Sequence, residues 1–175
     1  MRTSAAGTLR VQRWFRATPE DVFDAWTSPE VLRRWWTAYP GWVPSACSVD
    51  LRAGGRYRLG MHDQDGREYV VQGEYQEVRR PWLLRYTWCW QDDDLHPGHV
   101  SLVSVHFNAD RGGTTVQVEH SGLASARSMT RHGAGWDGTL ASLELSVFPA
   151  SSTQKKETRS ERNPDAARAG YPFDR

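Results

Sequence analysis

Alternating apolar and polar residues predict an antiparallel β-sheet over much of the chain. The stretch TLRVQRWF places Leu9, Val11, Arg13 and Phe15 on one face, as in a half-buried strand. From about residue 46 onward, further strands are predicted for RYRLGMH, EYVVQGEYQEV, WLLRYTWCW, HVSLVSVHF and TTVQVEH. Turn sequences such as RAGG, DQDG and DRGG separate several of them. Because these connections are too short for parallel crossovers, we expect antiparallel hairpins.

Helix signals flank the predicted strands. Two consecutive stretches, TPEDVFDAW and SPEVLRRWW, each begin with a hydroxyl residue followed by proline. Thr18 and Ser28 are therefore the predicted N-caps of two short tandem helices. Towards the end of the chain, large residues recur every three or four positions, which predicts one long helix with a single buried face. That face carries Met129, His132, Trp136, Leu140, Leu143 and Val147.

Composition and charge exclude several classes of protein. The 175 residues carry 22 basic and 21 acidic side chains, so the charge does not favour nucleic acid as a partner. No apolar run is long enough to cross a membrane, and the first residues do not resemble a signal peptide. All but two of the basic residues are arginines, which is typical of a GC-rich bacterial genome. We therefore predict a cytoplasmic bacterial protein that binds neither nucleic acid nor membrane.

Cysteine and histidine spacing does not predict a metal or cofactor site. Cys47 and Cys89 are far apart in the sequence and are expected to be small apolar residues rather than a disulfide. His96 and His99 have a spacing that could bind a metal, but they lie in a polar loop without an evident third ligand. We expect no metal and no cofactor.

Polarity also predicts the domain limits. Residues from about 150 onward are polar, charged and nearly devoid of aliphatic side chains. Such a segment cannot bury enough apolar surface to offset its ordering entropy. We predict a flexible N-terminus over residues 1–7, one domain over 8–150 and a disordered polar tail over 151–175.

The stretch HGAGWDG contains the glycine spacing of dinucleotide-binding proteins. Gly133, Gly135 and Gly138 nevertheless lie within the predicted long helix, without a strand before them and without room for a second parallel strand after them. The sequence therefore argues against a nucleotide site. Each glycine costs about 1 kcal/mol relative to alanine inside a helix. Close approach of the helix to the sheet, or room beside it for Trp136 or a ligand, must offset that cost.

The bulky faces of the predicted strands suggest an aromatic chamber. Nine tryptophans are unusual in a chain of this length, and each supplies a large apolar surface with one N–H donor. An aromatic pocket and a filled core are both compatible with such faces. The polar groups expected in the chamber are Arg13, His120 and the tyrosine hydroxyls. The other candidate ligand-binding residues are Tyr75, Tyr86, Trp88, Trp90 and Phe107 from the strands, with Trp136 and Leu140 from the helix.

Several stretches resemble the SRPBCC superfamily of START-like and birch-pollen-allergen-like proteins. They are ATPEDVFDAWTSPEVLRRWW, DLRAGGRYR, DGREYVVQGEYQEVRRPWLLRYTW, GTTVQVEHSGL and GWDGTLASL, in the order of that family and over roughly residues 8 to 148. The closest resemblance is to the branch related to the activator of the heat-shock-protein-90 ATPase. It implies an α+β helix-grip fold, in which a curved antiparallel sheet with two short helices and one long C-terminal helix encloses a cavity for an apolar small molecule.

Three functions follow as expectations. The first is a binding protein for an apolar or aromatic small molecule held between the sheet and the C-terminal helix. The second is an enzyme of the aromatase/cyclase or hydrolase type, for which His120 and Arg13 are the candidate catalytic residues. The third is a chaperone-ATPase-regulating interaction domain, which the resemblance implies and which would need an exposed surface. A homodimer is compatible with the sequence. Residues that could form such a surface, or a lid over the cavity, are Trp35, Trp36, Tyr39 and Trp42.

Overall fold

The computed structural model describes residues 7–91 and 96–150 and contains seven strands and three helices in that part of the chain. The predictions for residues 1–6 and for the tail at 151–175 lie outside the described residues. The elements are β1 (Leu9–Phe15), α1 (Pro19–Thr27), α2 (Pro29–Trp35), β2 (Val43–Val49), β3 (Arg56–His62), β4 (Glu68–Arg79), β5 (Leu83–Trp90), β6 (Ser101–Asp110), β7 (Gly113–Ser121) and α3 (Ala126–Ser146).

All seven strands join one antiparallel sheet in the order β1-β7-β6-β5-β4-β3-β2. The sheet is curled into a half-barrel, and the long helix α3 packs against it. This arrangement confirms the predicted α+β helix-grip fold. None of the helices in the described part of the chain combines the length and apolar character that a membrane span requires.

The cap signals place the two short helices correctly. Thr18 is the N-cap of α1, and its Oγ1 accepts a hydrogen bond from the Asp21 backbone N–H at 3.2 Å. Ser28 ends α1 and begins α2, but its side chain makes no capping hydrogen bond. Its backbone joins the helices instead, because its N–H donates to the Asp24 carbonyl and its own carbonyl accepts from the Leu32 N–H.

The sequence prediction omitted the edge strand β2. Among the strands of the described residues it pairs with β3 alone, and the register between these two strands shifts between Pro44 and Cys47. Proline cannot donate to a ladder and is typical of edges and bulges. The shift also breaks the alternation by which the other strands were identified.

The inward face of the sheet agrees with the predicted alternation. Val103, Val105 and Phe107 of β6, for example, are fully buried. Helices α1 and α2 add Phe23, Trp26, Leu32 and Trp35 to the same core. From α3, the buried residues are Trp136, Thr139, Leu140 and Leu143.

The three glycines of HGAGWDG lie inside α3, as predicted. A side chain at Gly138 would overlap the carbonyl group of Ala38, whose carbon would lie 2.8 Å from the added Cβ. The close approach therefore occurs against the loop after α2 rather than against the sheet. A Cβ at Gly135 would meet only the Ala38 Cβ, at 3.9 Å, and one at Gly133 only the end of Leu9, at 3.5 Å.

Candidate ligand cavity

A cavity of about 320 Å3 lies between β3–β5, the loop after α2 and the N-terminal half of α3. This volume falls at the lower end of the roughly 300–1,000 Å3 typical of small-molecule sites. Its inner wall consists of buried, largely apolar side chains, and its mouth consists of more exposed ones. The inner wall contains Trp36, Met61, Val70, Trp88, Trp136 and Thr139.

Hydrogen bonds attach the sheet wall of the cavity to α3. Trp90 Nε1 donates to His132 Nε2 at 3.0 Å, and His132 Nδ1 lies 2.8 Å from the Ser128 carbonyl oxygen. Because Nε2 accepts from the indole, Nδ1 carries the proton and donates to that carbonyl. Both side chains border the cavity, so this part of its wall is fixed by polar contacts as well as by packing.

Of the predicted ligand-binding residues, Trp88, Trp90 and Trp136 line this cavity. Tyr75 and Tyr86 lie instead in a packed cluster with Tyr57, with ring centroids 5.2–5.8 Å apart. Leu140 is fully buried and is not part of the cavity wall. All three positions therefore belong to the packed core, and Tyr75 and Tyr86 pack there against other aromatic rings.

Phe107 also belongs to the packed core. Its ring lies edge-on to Phe23 at 5.3 Å and to Trp26 at 5.9 Å. Both partners come from α1, which thus fills one end of the chamber expected from the strand pattern. The space that remains lies at the other end, around the loop after α2.

Arg13 does not lie in the chamber. Its guanidinium forms an ion pair with Glu144 of α3, and about a third of each side chain is exposed. Alternation assigned Arg13 to the inner face, but its long side chain extends from β1 to the helix surface. It is therefore placed to connect β1 with α3 rather than to contact a molecule in the cavity.

His120 is fully buried behind the cavity wall, with both ring nitrogens hydrogen-bonded. Trp136 Nε1 donates to His120 Nδ1 at 3.1 Å, so the proton of the neutral ring lies on Nε2. Nε2 then donates to Ser101 Oγ at 2.7 Å, and that hydroxyl donates to the Trp88 carbonyl at 3.4 Å. This chain of bonds positions Trp88 and Trp136, two of the tryptophans that border the cavity, and it leaves neither nitrogen of His120 available for proton transfer.

Burial lowers the pKa of His120 to about 3, with a further contribution from the nearby rings of His132 and His99. In the unfolded chain, His120 binds a proton below about pH 6.5, whereas in the folded protein it stays neutral until the pH approaches 3. Stability from this group is therefore complete above pH 6.5 and is lost as the pH falls towards 3.

We expect the free energy of unfolding to fall by about 1.4 kcal/mol per pH unit below pH 6.5 through His120 alone. A His120→Asn variant keeps an acceptor for the Trp136 indole but cannot be protonated. It should be less stable at pH 7 and should show a flatter pH dependence between 6.5 and 5. Urea unfolding at several pH values measures both slopes, and equal slopes in the two proteins would contradict this role.

Two indole N–H groups in the cavity wall have no hydrogen-bond acceptor among the described residues. They belong to Trp36 and Trp88, which are 2% and 5% exposed. Both side chains border the cavity. Buried donors are nearly always satisfied in folded proteins, so these two are exceptions. Neighbouring protein atoms cover both nitrogens, so an acceptor in the cavity would reach them only after the indole rings moved.

The four aromatic residues at the end of α2 and in the loop after it have two different environments. Trp35 and Trp36 are buried, and Trp35 donates from Nε1 to the Ala25 carbonyl at 3.0 Å. Tyr39 and Trp42 border the cavity mouth, where Trp42 stacks on Tyr69 at 4.9 Å. This division does not provide the exposed four-residue patch that the sequence suggested for a partner protein.

The mouth of the cavity also carries basic side chains that were not predicted from the sequence. Arg127 and Arg131 lie on successive turns of α3, and Arg67 from the turn between β3 and β4 lies with its Cζ 5.1 Å from the Tyr69 ring. The sequence could have indicated the two helical arginines, because residues 127, 131 and 135 are four positions apart and therefore share one face of the helix. In residues 7–91 and 96–150, no group of three or more metal-ligating side chains is assembled.

Comparisons with known proteins identify the family. The solved AHSA1 protein SPO3351 from Silicibacter pomeroyi is 28% identical, with a TM-score of 0.68 over 79% of this chain and 96% of that one. The AHSA1-like protein from Aeromonas hydrophila is 26% identical, with a TM-score of 0.65 over 79% and 93%. Protein CV1439 from Chromobacterium violaceum shares the fold at 24% identity, with a TM-score of 0.69 over 82% and 99%.

A comparison with curated proteins found no match. The family described as "Activator of Hsp90 ATPase homolog 1-like protein" matches residues 16–147, which include all three helices up to the last residue of α3 and every strand after β1. The chain therefore belongs to the family of Activator of Hsp90 ATPase homolog 1-like proteins, within the SRPBCC fold.

Proposed function

We propose that this protein binds an aromatic small molecule in the cavity between the sheet and α3. The observation that carries the proposal is the cavity itself, about 320 Å3 in volume and bordered by five of the nine tryptophans. Aromatic walls with a few polar groups are the usual form of a small-molecule site. Flat rings such as Trp42, Trp88 and Trp136 offer stacking surfaces to an aromatic ligand.

The hydrogen bonding of His120 favours binding over acid–base catalysis at this site. A general acid or base must exchange a proton with the substrate from within hydrogen-bond reach. His120 does not border the cavity, and its two nitrogens are bonded to Trp136 and Ser101. Arg13 lies outside the chamber. The two residues proposed for catalysis are therefore better explained as structural: His120 supports the cavity wall, and Arg13 connects β1 with α3.

Filling the cavity should abolish binding without unfolding the protein. Gly135 borders the cavity on α3, and an added Cβ there meets only Ala38, at 3.9 Å. A Gly135→Leu variant should place its side chain in the cavity, while Gly135→Ala adds a single methyl group and leaves most of the space open. Both variants should be at least as stable as the wild type, because glycine costs about 1 kcal/mol in a helix.

Binding can be followed by the fluorescence of N-phenyl-1-naphthylamine, an uncharged aromatic probe whose emission rises in apolar surroundings. We expect saturable binding to the wild type and to Gly135→Ala, with a loss of about tenfold or more in affinity for Gly135→Leu. Thermal unfolding of each variant controls for folding. Equal affinities for the alanine and leucine variants would place the probe elsewhere and contradict the proposal.

A further inference from the structure

The polar groups around the cavity are mainly hydrogen-bond donors. Arg127 and Arg131 border its mouth, and each guanidinium group carries five N–H donors and no acceptor. The carboxylate at the mouth, on Glu68, accepts a hydrogen bond from Ser45 Oγ at 2.8 Å. A site rich in donors is complementary to a molecule that presents acceptors.

Arg127 and Arg131 are the strongest part of this pattern. Both are exposed, both lie on the face of α3 that borders the cavity, and neither makes an ion pair with any residue that the structure describes. Four residues apart, the two guanidinium groups repel each other slightly in the absence of an anion. Arginine is well suited to carboxylate, sulfonate or phosphate groups, because its planar fork of N–H donors matches their oxygen atoms.

We propose that the cavity selects aromatic molecules that carry an anionic oxygen group, with the ring against the tryptophan wall and the anion at Arg127 and Arg131. This inference rests on the proposed function and names its ligand class. The apolar wall supplies shape and burial, while the two arginines distinguish an aryl acid from the corresponding neutral arene. Glu68 at the same mouth repels an anion, but its single negative charge is outweighed by the two positive charges of Arg127 and Arg131.

A pair of probes that differ only in one charged group tests the inference. N-phenyl-1-naphthylamine is neutral, and 8-anilinonaphthalene-1-sulfonate is the same ring system with a sulfonate. At low salt, we expect the wild type to bind the sulfonate probe at least about tenfold more tightly than the neutral probe. This is the gain expected from a charge-assisted hydrogen bond to arginine. The preference should shrink as ionic strength rises, because exposed charges are screened.

The variant Arg127→Gln/Arg131→Gln should lose about tenfold in sulfonate affinity and keep its affinity for the neutral probe. The matched control is Arg16→Gln/Arg56→Gln, which removes the same charge from two exposed arginines that do not border the cavity. It should bind both probes as the wild type does. Gly135→Leu should lose both probes, which shows that the signal comes from the cavity rather than from the surface.

The outcomes separate this inference from the proposed function. If the wild type binds both probes equally well, or if both arginine variants lose the sulfonate equally, the anionic class is wrong while the cavity remains a binding site. If the Arg127→Gln/Arg131→Gln variant loses affinity for both probes while remaining folded, the arginines support the cavity structurally and the inference is again overturned. If the wild type binds neither probe, the proposed function itself fails.

Discussion

Replacing Trp136 by alanine is expected to lower the free energy of unfolding by about 3 kcal/mol, the lower end of the range for large aromatic-to-alanine changes in cores. The indole ring lies 5.1 Å from that of Trp88 and 6.2–6.3 Å from those of Trp26 and Trp36. The substitution also removes the donor to His120 Nδ1. The cost stays at the lower end because part of the ring borders the cavity instead of packed atoms.

A matched tryptophan controls for the loss of the residue type. Trp82 is 53% exposed, so Trp82→Ala should change stability by no more than about 0.5 kcal/mol. Urea unfolding of both variants measures the difference. A cost for Trp136→Ala below about 1 kcal/mol would show that the ring is not held as the contacts indicate.

The second large effect is expected at Gly138. A Cβ there would overlap the backbone carbonyl of Ala38, so either α3 or the loop after α2 must move. Overpacking of this kind costs about 1–3 kcal/mol or more, which exceeds the gain of about 1 kcal/mol in helix propensity. Gly138→Ala should therefore be destabilising.

Gly135 provides the comparison within the same helix. Gly135→Ala gains helix propensity without a clash and should raise the free energy of unfolding by up to about 1 kcal/mol. Thermal unfolding of the two single variants gives the signs directly. Stabilisation by both substitutions would contradict the close contact between α3 and Ala38.

Local patterns were sufficient to predict most strands and all three helices, whereas their helix-grip arrangement was implied by the family resemblance. Alternation identified the inward side chains of β5, β6 and β7, and the period of α3 identified Trp136, Leu140 and Leu143. These signals depend only on neighbours in sequence and on one buried face. The edge strand β2 was missed because Pro44 and a register shift disturb the same signal.

The division between core and cavity could not be predicted in the same way. Phe107 and Trp88 share the inward face of the sheet, but Phe107 packs against Phe23 and Trp26, whereas Trp88 borders open space. Which of the two environments a residue meets depends on how α1 and α2 lie over the sheet. Strand periodicity contains no information about that placement.

The role of His120 illustrates the same limit. Its position on the inner face was predicted correctly, and it was taken for a polar group of the chamber. Its partners, Ser101 on β6 and Trp136 on α3, come from distant parts of the sequence. Only the folded structure, which brings these partners together, shows that the His120 ring lies behind the cavity wall and supports it.

The cavity assignment can be tested most directly by NMR of the indole N–H groups during titration with N-phenyl-1-naphthylamine. Each of the nine tryptophans gives one indole signal, and five of them border the cavity while four do not. We predict that the signals of Trp36, Trp42, Trp88, Trp90 and Trp136 shift together and saturate, while those of Trp14 and the exposed Trp82 remain unchanged. Shifts confined to Trp14 or Trp82, or no saturable shift in the cavity group, would contradict binding between the sheet and α3.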